Sequence, residues 1–218
     1  MRNVPYLVDG YRRFMAERYP READVYRSLA DEGQAPKTMV IGCCDSRVDP
    51  AAIFSAGPGQ LFVVRNVANL VPPYEQHGDY HGTSAALEFA VTGLGVETIL
   101  VMGHGRCGGV QAFLQGSYEE PRPPGFIQSW MSLLKGAQHE AQRDVSAGAV
   151  TSMQQALEFA SVRRSLDNLE TFPFIRQSLA EGRLQLHGAY FDIADGHLLA
   201  LDRADGRFRP VLQDAAQS

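Results

Sequence analysis

The chain has 218 residues, of which 44% are hydrophobic and 21% are charged, a composition typical of a globular protein with a sizeable buried core. Its formal net charge of −5 excludes the strongly basic surface of a general nucleic-acid binder, and no apolar run approaches the roughly 18 residues of a membrane span. Three cysteines, two of them adjacent, argue against a disulfide framework. Charged residues interrupt the N-terminal segment where a signal peptide would be apolar. We therefore expect a cytoplasmic protein without nucleic-acid or membrane partners.

The predicted elements begin with helices and continue with buried strands. Residues 8–30 have the apolar spacing of one or two amphipathic helices, broken near Tyr19 and Pro20, and we expect residues 1–30 to form an N-terminal helical arm. Aliphatic and β-branched residues predict strands at residues 38–42, 61–64, 98–103 and 184–193. Three of these segments are apolar throughout, which is typical of strands buried on both faces.

Capping residues predict the helices that lie between the strands. Asp49 before Pro50 is typical of a helix N-cap followed by proline at the first helical position. Thr151 and Gln154 fit a capping box that opens a helix through about residue 169. The remaining predictions are a buried helix at 83–91, a loop at 119–125, a helix at 171–182 and a hairpin of residues 197–201 with 207–212. This alternation predicts an α/β fold with a mostly parallel central β-sheet flanked by helices, in a single domain over residues 1–218.

Three potential metal ligands follow two of the predicted strands. Cys43 comes directly after the strand at 38–42, and His104 and Cys107 follow the strand at 98–103. Ligands collect at the carboxyl ends of parallel strands, and two thiols with one imidazole suit tetrahedral zinc. Three protein ligands leave a fourth position open, as in catalytic zinc sites.

Asp45 and Arg47 lie two and four residues beyond Cys43. The Asp45 carboxylate could complete the coordination of the metal, or it could accept a hydrogen bond from water on the metal. Arg47 can hold a carboxylate with two parallel donors and would then keep Asp45 away from the metal. The residues alone leave both arrangements open.

Residues 43–48, CCDSRV, together with residues 103–108, GHGRCG, resemble the two-part signature of the β-class carbonic anhydrases. The resemblance extends from the N-terminal arm through residues 62–71 to residues 186–188, and it is closest to the plant-like branch, whose zinc site is open. It implies reversible hydration of CO₂ to bicarbonate and a proton by zinc-bound hydroxide, with one Zn²⁺ per subunit. Cys43, His104 and Cys107 would be the metal ligands, Asp45 would orient the nucleophile and join the ligands only in a closed form, and Arg47 would hold Asp45.

The resemblance also implies a substrate pocket and an assembly. The CO₂ pocket of the plant-like branch matches Gln34, Phe62, Val67 and Phe89 here, with Phe89 at the position of a tyrosine. The backbone N–H of Gly108, at a helix start, would be a donor to a substrate oxygen. Because family members build this pocket across a dimer interface, we expect a homodimer or a larger assembly of dimers.

A second branch of the family has an accessory bicarbonate site that closes the zinc site. Its tryptophan and tyrosine positions fall on Val40 and Phe191, and only the arginine is retained, as Arg65. We therefore expect no bicarbonate switch and an open zinc site. Cys44 is expected to pack in the core rather than to join the site. His77 and His81 could carry protons out of the site, although exposed loop histidines are the simpler interpretation.

Three alternatives to this function remain. Residues Gly103, Gly105 and Gly108 spell the glycine pattern of a dinucleotide-binding loop, although no acidic residue ends a following strand about 20 residues later. A zinc protein without catalytic activity would most simply lack Asp45 or Arg47, and both are present. A related hydrolase could act on carbonyl sulfide or carbon disulfide, which are also linear and electrophilic at carbon.

Overall fold

The central sheet confirms the predicted α/β class. The computed structural model describes residues 4–76, 81–117 and 125–212, and within them the chain forms a six-stranded sheet in the order β2-β1-β3-β4-β5-β6. The strands are β1 (Thr38–Cys43), β2 (Leu61–Asn66), β3 (Thr98–His104), β4 (Gln185–Phe191), β5 (Leu198–Asp202) and β6 (Arg207–Pro210). Strands β1 to β4 pair in parallel, while β5 and β6 add an antiparallel edge, as the predicted hairpin requires.

The strands that carry the site extend one or two residues beyond their predicted ends. Pairing of β1 with β2 continues to Cys43 opposite Asn66, and the Cys44 N–H then donates to the Asn66 carbonyl at 2.9 Å. Strand β3 reaches His104, which pairs with Phe191 of β4. Cys43 and His104 are therefore the last residues of neighbouring parallel strands, at the same edge of the sheet.

Helices precede and flank the sheet. They are α1 (Pro5–Arg13), α2 (Tyr19–Glu32), α3 (Pro50–Ile53), α4 (Gly82–Glu88), α5 (Gly108–Leu114), α6 (Phe126–Met131), α7 (Lys135–Ser146), α8 (Met153–Leu169) and α9 (Pro173–Ala180). A π-helical turn, Phe14–Arg18, joins α1 to α2, and a second, Phe89–Leu94, continues α4. None of the helices within the described ranges is long and apolar enough to cross a membrane.

One predicted cap is confirmed and one is wrong. The Asp49 carboxylate accepts a hydrogen bond from the Ala52 N–H at 3.1 Å and caps α3. Helix α8 is capped by Ser152, whose hydroxyl accepts from the Gln155 N–H at 3.4 Å, rather than by Thr151. The backbone is still extended at Ser152, so the free N–H groups of the first turn lie one residue later than the capping-box pattern predicts.

The arm changes its helix type where the sequence predicts a break: the π-helical turn ends at Arg18, and α2 begins at Tyr19 with Pro20 in its first turn. One helical prediction needs correction. The helix predicted as buried at 83–91 is buried on one face only. Leu87 and Ala90 are in the core, but Phe89 is 53% exposed. A single chain covers one side of this apolar helix and leaves the other uncovered.

Helix α8 packs closely against the strands that lead to the site. A Cβ added at Gly103 of β3 would lie 2.7 Å from Val162 Cγ2, and one added at Gly188 of β4 would lie 2.9 Å from Val162 Cγ1. Both distances are shorter than real contacts allow, so glycine at these two positions lets the helix backbone approach the sheet. This approach places residues one turn before Val162 directly behind the end of β3.

Candidate active site

Three buried donor side chains meet at the carboxyl edge of the sheet. Cys43 ends β1, His104 ends β3 and Cys107 is the N-cap residue of α5. One ligand atom from each of the three lies within 4.8 Å of the others. The strand ends place Cys43 and His104, and the turn after β3 brings Cys107 back to them.

The imidazole of His104 fits a metal ion by its hydrogen bonding. Its Nδ1 lies 3.0 Å from the Gly105 carbonyl oxygen, an acceptor, so Nδ1 carries the proton and Nε2 keeps a lone pair. Nε2 is buried and makes no hydrogen bond to any described residue. An unpaired buried acceptor is unfavourable, and a cation beside two thiols would satisfy it.

The two thiols of this cluster shift each other's pKa. The hydrogen bond from the Cys107 thiol lowers the pKa of Cys43, and the same contact together with burial raises the pKa of Cys107. Burial opposes a charge on His104, but the adjacent Cys43 sulfur raises the pKa of the imidazole. The cluster without metal therefore favours ionisation of Cys43 over Cys107, and a divalent cation held there would favour the thiolate form of both.

Asp45 is held by Arg47 and lies outside the donor cluster. The Arg47 Nε and Nη2 donate to Asp45 Oδ1 and Oδ2 at 2.9 and 2.6 Å, and the Arg47 N–H donates to Oδ1 at 3.0 Å. These contacts hold the pKa of the Asp45 carboxyl well below its usual range. Of the two arrangements that the residues left open, the geometry is that of the carboxylate fixed by arginine.

A second arginine fastens the same loop through its backbone. Arg65 Nε donates to the Cys43 carbonyl at 2.8 Å, and its Nη2 donates to the Asp45 carbonyl at 2.6 Å. Its Nη1 forms an ion pair with Asp49 at 3.0 Å. The sequence suggested Arg65 only as the remnant of an accessory anion site, whereas here its donors are directed to the protein. The accessory site also uses the positions of Val40 and Phe191, and Val40 is fully buried here.

The predicted pocket residues lie in separate places within one chain. Phe62 of β2 and Phe89 are in contact, with ring centroids 5.9 Å apart. Gln34 is exposed in the segment between α2 and β1. Gly108 begins α5, and a Cβ added there would meet no atom within 4 Å, so the space beside its Cα is open. Val67 lies directly after β2 and lines a neighbouring cavity.

This cavity of about 1250 Å³ reaches the chain at Cys44, the residue after Cys43, and the three donor residues are not among those that line it. Cys44, Val67, His81 and Trp130 are among its lining residues, and the Trp130 Nε1–H donates to the Val67 carbonyl at 2.8 Å. The expectation that Cys44 packs in the core is wrong: its side chain is exposed, because it points to the opposite side of the chain from Cys43. His77 lies outside the described residues.

Sequence reasoning missed a buried carboxylate behind the cluster. Glu158 of α8 is 2% exposed and accepts hydrogen bonds from Cys107, Gln154 and Tyr190. Burial raises the pKa of Glu158, and burial followed by the Glu158 charge raises the pKa of Tyr190, so the tyrosine keeps its proton and donates it. The available signal was a charged residue on the apolar face of α8. It can be recognised only once the buried face of the helix is known.

The fold and the donor set define a parallel α/β protein with a Cys-His-Cys site suited to a divalent metal. The family model for carbonic anhydrase matches residues 38–198. The chain is 41% identical over 196 residues to β-carbonic anhydrase 5, chloroplastic, of Arabidopsis thaliana, and the match covers 88% of this chain and 64% of the Arabidopsis protein. The chain therefore belongs to the carbonic anhydrase family, in its β class.

Solved structures of the family have the same fold. The β-carbonic anhydrase CcaA has a TM-score of 0.86 and 29% identity, with 98% of this chain and 94% of that chain covered. One of the tetrameric β-carbonic anhydrases of Sordaria macrospora has a TM-score of 0.72 and 28% identity, with 97% and 98% covered. The similarity spans the N-terminal arm as well as the sheet.

Proposed function

We propose that this chain catalyses the reversible hydration of CO₂ to bicarbonate and a proton, with one Zn²⁺ per subunit held by Cys43, His104 and Cys107. One observation carries the proposal: two thiols and an imidazole with an unpaired Nε2 converge in a buried cluster. The family supports the reaction, since the relatives are named carbonic anhydrases. Zn²⁺ held by these three residues would supply a Lewis acid that lowers the pKa of a bound water.

Asp45 is proposed to orient the reacting water. Its carboxylate has lone pairs beyond those used by Arg47, so it can accept a further hydrogen bond from a water proton. Because Arg47 keeps Asp45 ionised and grips both oxygens, the carboxylate remains an acceptor and stays apart from the three donor atoms. Arg47 also donates to the Arg106 carbonyl at 3.1 Å, which ties the Asp45 loop to the loop of Cys107.

The substrate site is proposed to combine apolar walls with one oriented donor. Phe62, Val67 and Phe89 would hold linear, apolar CO₂, and the Gly108 N–H would donate to the oxygen that gains negative charge. Gln34 would contribute a further polar contact. CO₂ carries no charge and few acceptors, so a largely apolar pocket with few donors is suited to it.

An assembly of at least two chains is proposed to complete this pocket. Phe89 is 53% exposed and Gln34 lies on the surface, so each needs a covering surface to form part of a pocket. None of the residues in α1, α2 or the π-helical turn between them is buried, and Tyr6 and Tyr11 are 70% and 61% exposed. Such an uncovered aromatic arm is typical of a segment that packs on another copy, and one similar structure is of a tetrameric enzyme.

Stopped-flow measurement of CO₂ hydration tests the function on protein of measured zinc content. We expect fast hydration from the zinc-loaded protein and none above background from the Cys107→Ser variant, which lacks one ligand. The same preparation is assayed with carbonyl sulfide and with carbon disulfide. Hydrolysis of either sulfur compound without CO₂ hydration, at full zinc content, would contradict the proposal and favour the related hydrolase.

A further inference from the structure

The buried carboxylate of Glu158 is aimed at the loop that supplies Cys107. Its Oε1 accepts a hydrogen bond from the Cys107 N–H at 2.8 Å, and the side chain is almost fully enclosed. Cys107 is the N-cap residue of α5, so its N–H precedes the helix and has no carbonyl of that helix to bind. Glu158 is therefore the partner that this buried N–H would otherwise lack.

The carboxylate is itself held from two sides. Gln154, one turn earlier on α8, donates to Oε1 at 3.0 Å, and the Tyr190 hydroxyl of β4 donates to Oε2 at 2.9 Å. Tyr190 also packs under the loop, since a Cβ added at Gly105 would lie 3.0 Å from its hydroxyl oxygen. Three donors to one carboxylate leave it little freedom to rotate, so the position of the Cys107 backbone follows that of α8 and β4.

The loop between His104 and Cys107 needs such a restraint. Arg106 has a φ of +56°, in the left-handed region that residues with a Cβ seldom adopt. A turn in this conformation persists only where its neighbours hold it on both sides. On one side the turn is fixed by strand β3, which ends at His104. On the other side it is fixed by the hydrogen bond from the Cys107 N–H to Glu158.

We propose that Glu158 is a positioning residue of the metal centre: by accepting the Cys107 N–H it sets where the Cys107 sulfur lies relative to Cys43 and His104. This inference rests on the proposed function only in that the cluster binds a metal. A purely structural role, in which Glu158 does no more than connect α8 to β4, makes different predictions. It would alter the stability of the fold and leave the affinity and geometry of the metal site unchanged.

Three variants separate the two roles. Glu158→Gln keeps an oxygen acceptor for the Cys107 N–H, whereas Glu158→Met fills a similar volume and removes both acceptors. Ser161→Ala is the matched control, because Ser161 lies on the same helix, is 2% exposed, and donates its hydrogen bond to the Glu158 backbone carbonyl at 2.8 Å rather than to the loop. Each variant is used where circular dichroism shows it folded.

The readouts are Co²⁺ binding against a competing chelator and the visible spectrum of the Co²⁺ protein, whose bands report the thiolate ligands. We expect Glu158→Met to weaken Co²⁺ binding by about tenfold to a hundredfold and to shift these bands, as changes to groups that support metal ligands do. Glu158→Gln is expected to stay within about threefold of the unmodified protein, and Ser161→Ala to match it. Unchanged binding and spectra in Glu158→Met, or a loss in Glu158→Gln as large as in Glu158→Met, would overturn the proposal.

Hydrogen exchange keeps the test decisive if Glu158→Met does not fold. In the metal-free unmodified protein, the Cys107 amide should exchange more slowly than the neighbouring Arg106 amide, because Glu158 binds it before any metal arrives. Equal exchange of the two amides would contradict a preformed loop. Failure of the unmodified protein to bind Co²⁺ would instead count against the proposed function.

Discussion

The contact between Gly103 and Val162 predicts a large and specific effect of one added methyl group. A Cβ at residue 103 would lie 2.7 Å from Val162 Cγ2, whereas carbon atoms prefer about 3.5 to 4.0 Å. Helix α8 and β3 would have to separate by roughly 1 Å, because a valine in a helix has essentially one accessible rotamer and cannot turn away. We expect Gly103→Ala to cost about 1 to 3 kcal/mol of unfolding free energy through overpacking.

A double-mutant cycle isolates this contact. Val162→Ala removes two methyl groups from a fully buried side chain and should alone cost about 2 kcal/mol. In the double variant the new Cβ occupies the space that the valine left, so its stability should be close to that of Val162→Ala, with a favourable coupling of about 1 to 3 kcal/mol. Gly82→Ala tests an added methyl group that makes no close contact, since a Cβ at Gly82 meets nothing within 4 Å; any gain there reflects the helix propensity of alanine in α4.

Urea unfolding measures these differences at fixed protein and zinc concentrations, since both metal and assembly shift apparent stability. Because Gly103 directly precedes His104, Gly103→Ala should also lower zinc affinity, and the double variant should recover it. Additive effects of the two substitutions, or a cost for Gly103→Ala below about 0.5 kcal/mol, would refute the close approach of α8 to the sheet.

Three further predictions concern the site and its loops. Asp45→Ala should keep zinc but lose most CO₂ hydration, whereas Cys107→Ala should lose both the metal and the stability that the metal provides. Metal analysis together with stopped-flow kinetics distinguishes the two variants. Full activity of Asp45→Ala would contradict the proposed role of Asp45. Trp130→Phe removes the hydrogen bond to the Val67 carbonyl and should lower the free energy of unfolding by about 0.5 to 1.5 kcal/mol. It should also raise KM for CO₂ at unchanged zinc content. An unchanged KM would show that Val67 is not part of the substrate pocket. Asp49→Ala should cost about 1 kcal/mol in urea unfolding, and Asp49→Asn should restore most of it, unless the ion pair with Arg65 rather than the cap provides the stability.

The donor cluster was predictable because strand direction and local spacing are both visible in the sequence. Apolar runs end at Cys43 and just before His104, and parallel strands bring such ends to one edge of the sheet. Cys107, three residues after His104, then needs only one turn to return. The hairpin and the cap at Asp49 were also predictable, because each depends on interactions within a few residues.

Features that depend on which surfaces meet were not predictable. Examples are the exposure of Cys44, the uncovered face at Phe89 and the actual cap of α8. Each depends on how an element packs in the fold, and the hydrophobic periodicity of the sequence does not show this. The contacts of Arg65 were not predictable either. The residue itself is visible in the sequence, but its hydrogen bonds to the Cys43 and Asp45 carbonyls form only because β2 lies beside β1.

The sequence by itself determined the class of fold, the three donors and the Asp45 and Arg47 pair, because these follow from local patterns of hydrophobicity, residue type and spacing. Tertiary structure alone decided two matters. Arg47, which holds Asp45, also donates to the Arg106 carbonyl 59 residues further along the chain, and Glu158, 51 residues along the chain from Cys107, accepts the hydrogen bond of the Cys107 amide. Hydrogen bonds between distant segments depend on distances of tenths of an ångström between packed elements, and only the assembled core sets those distances.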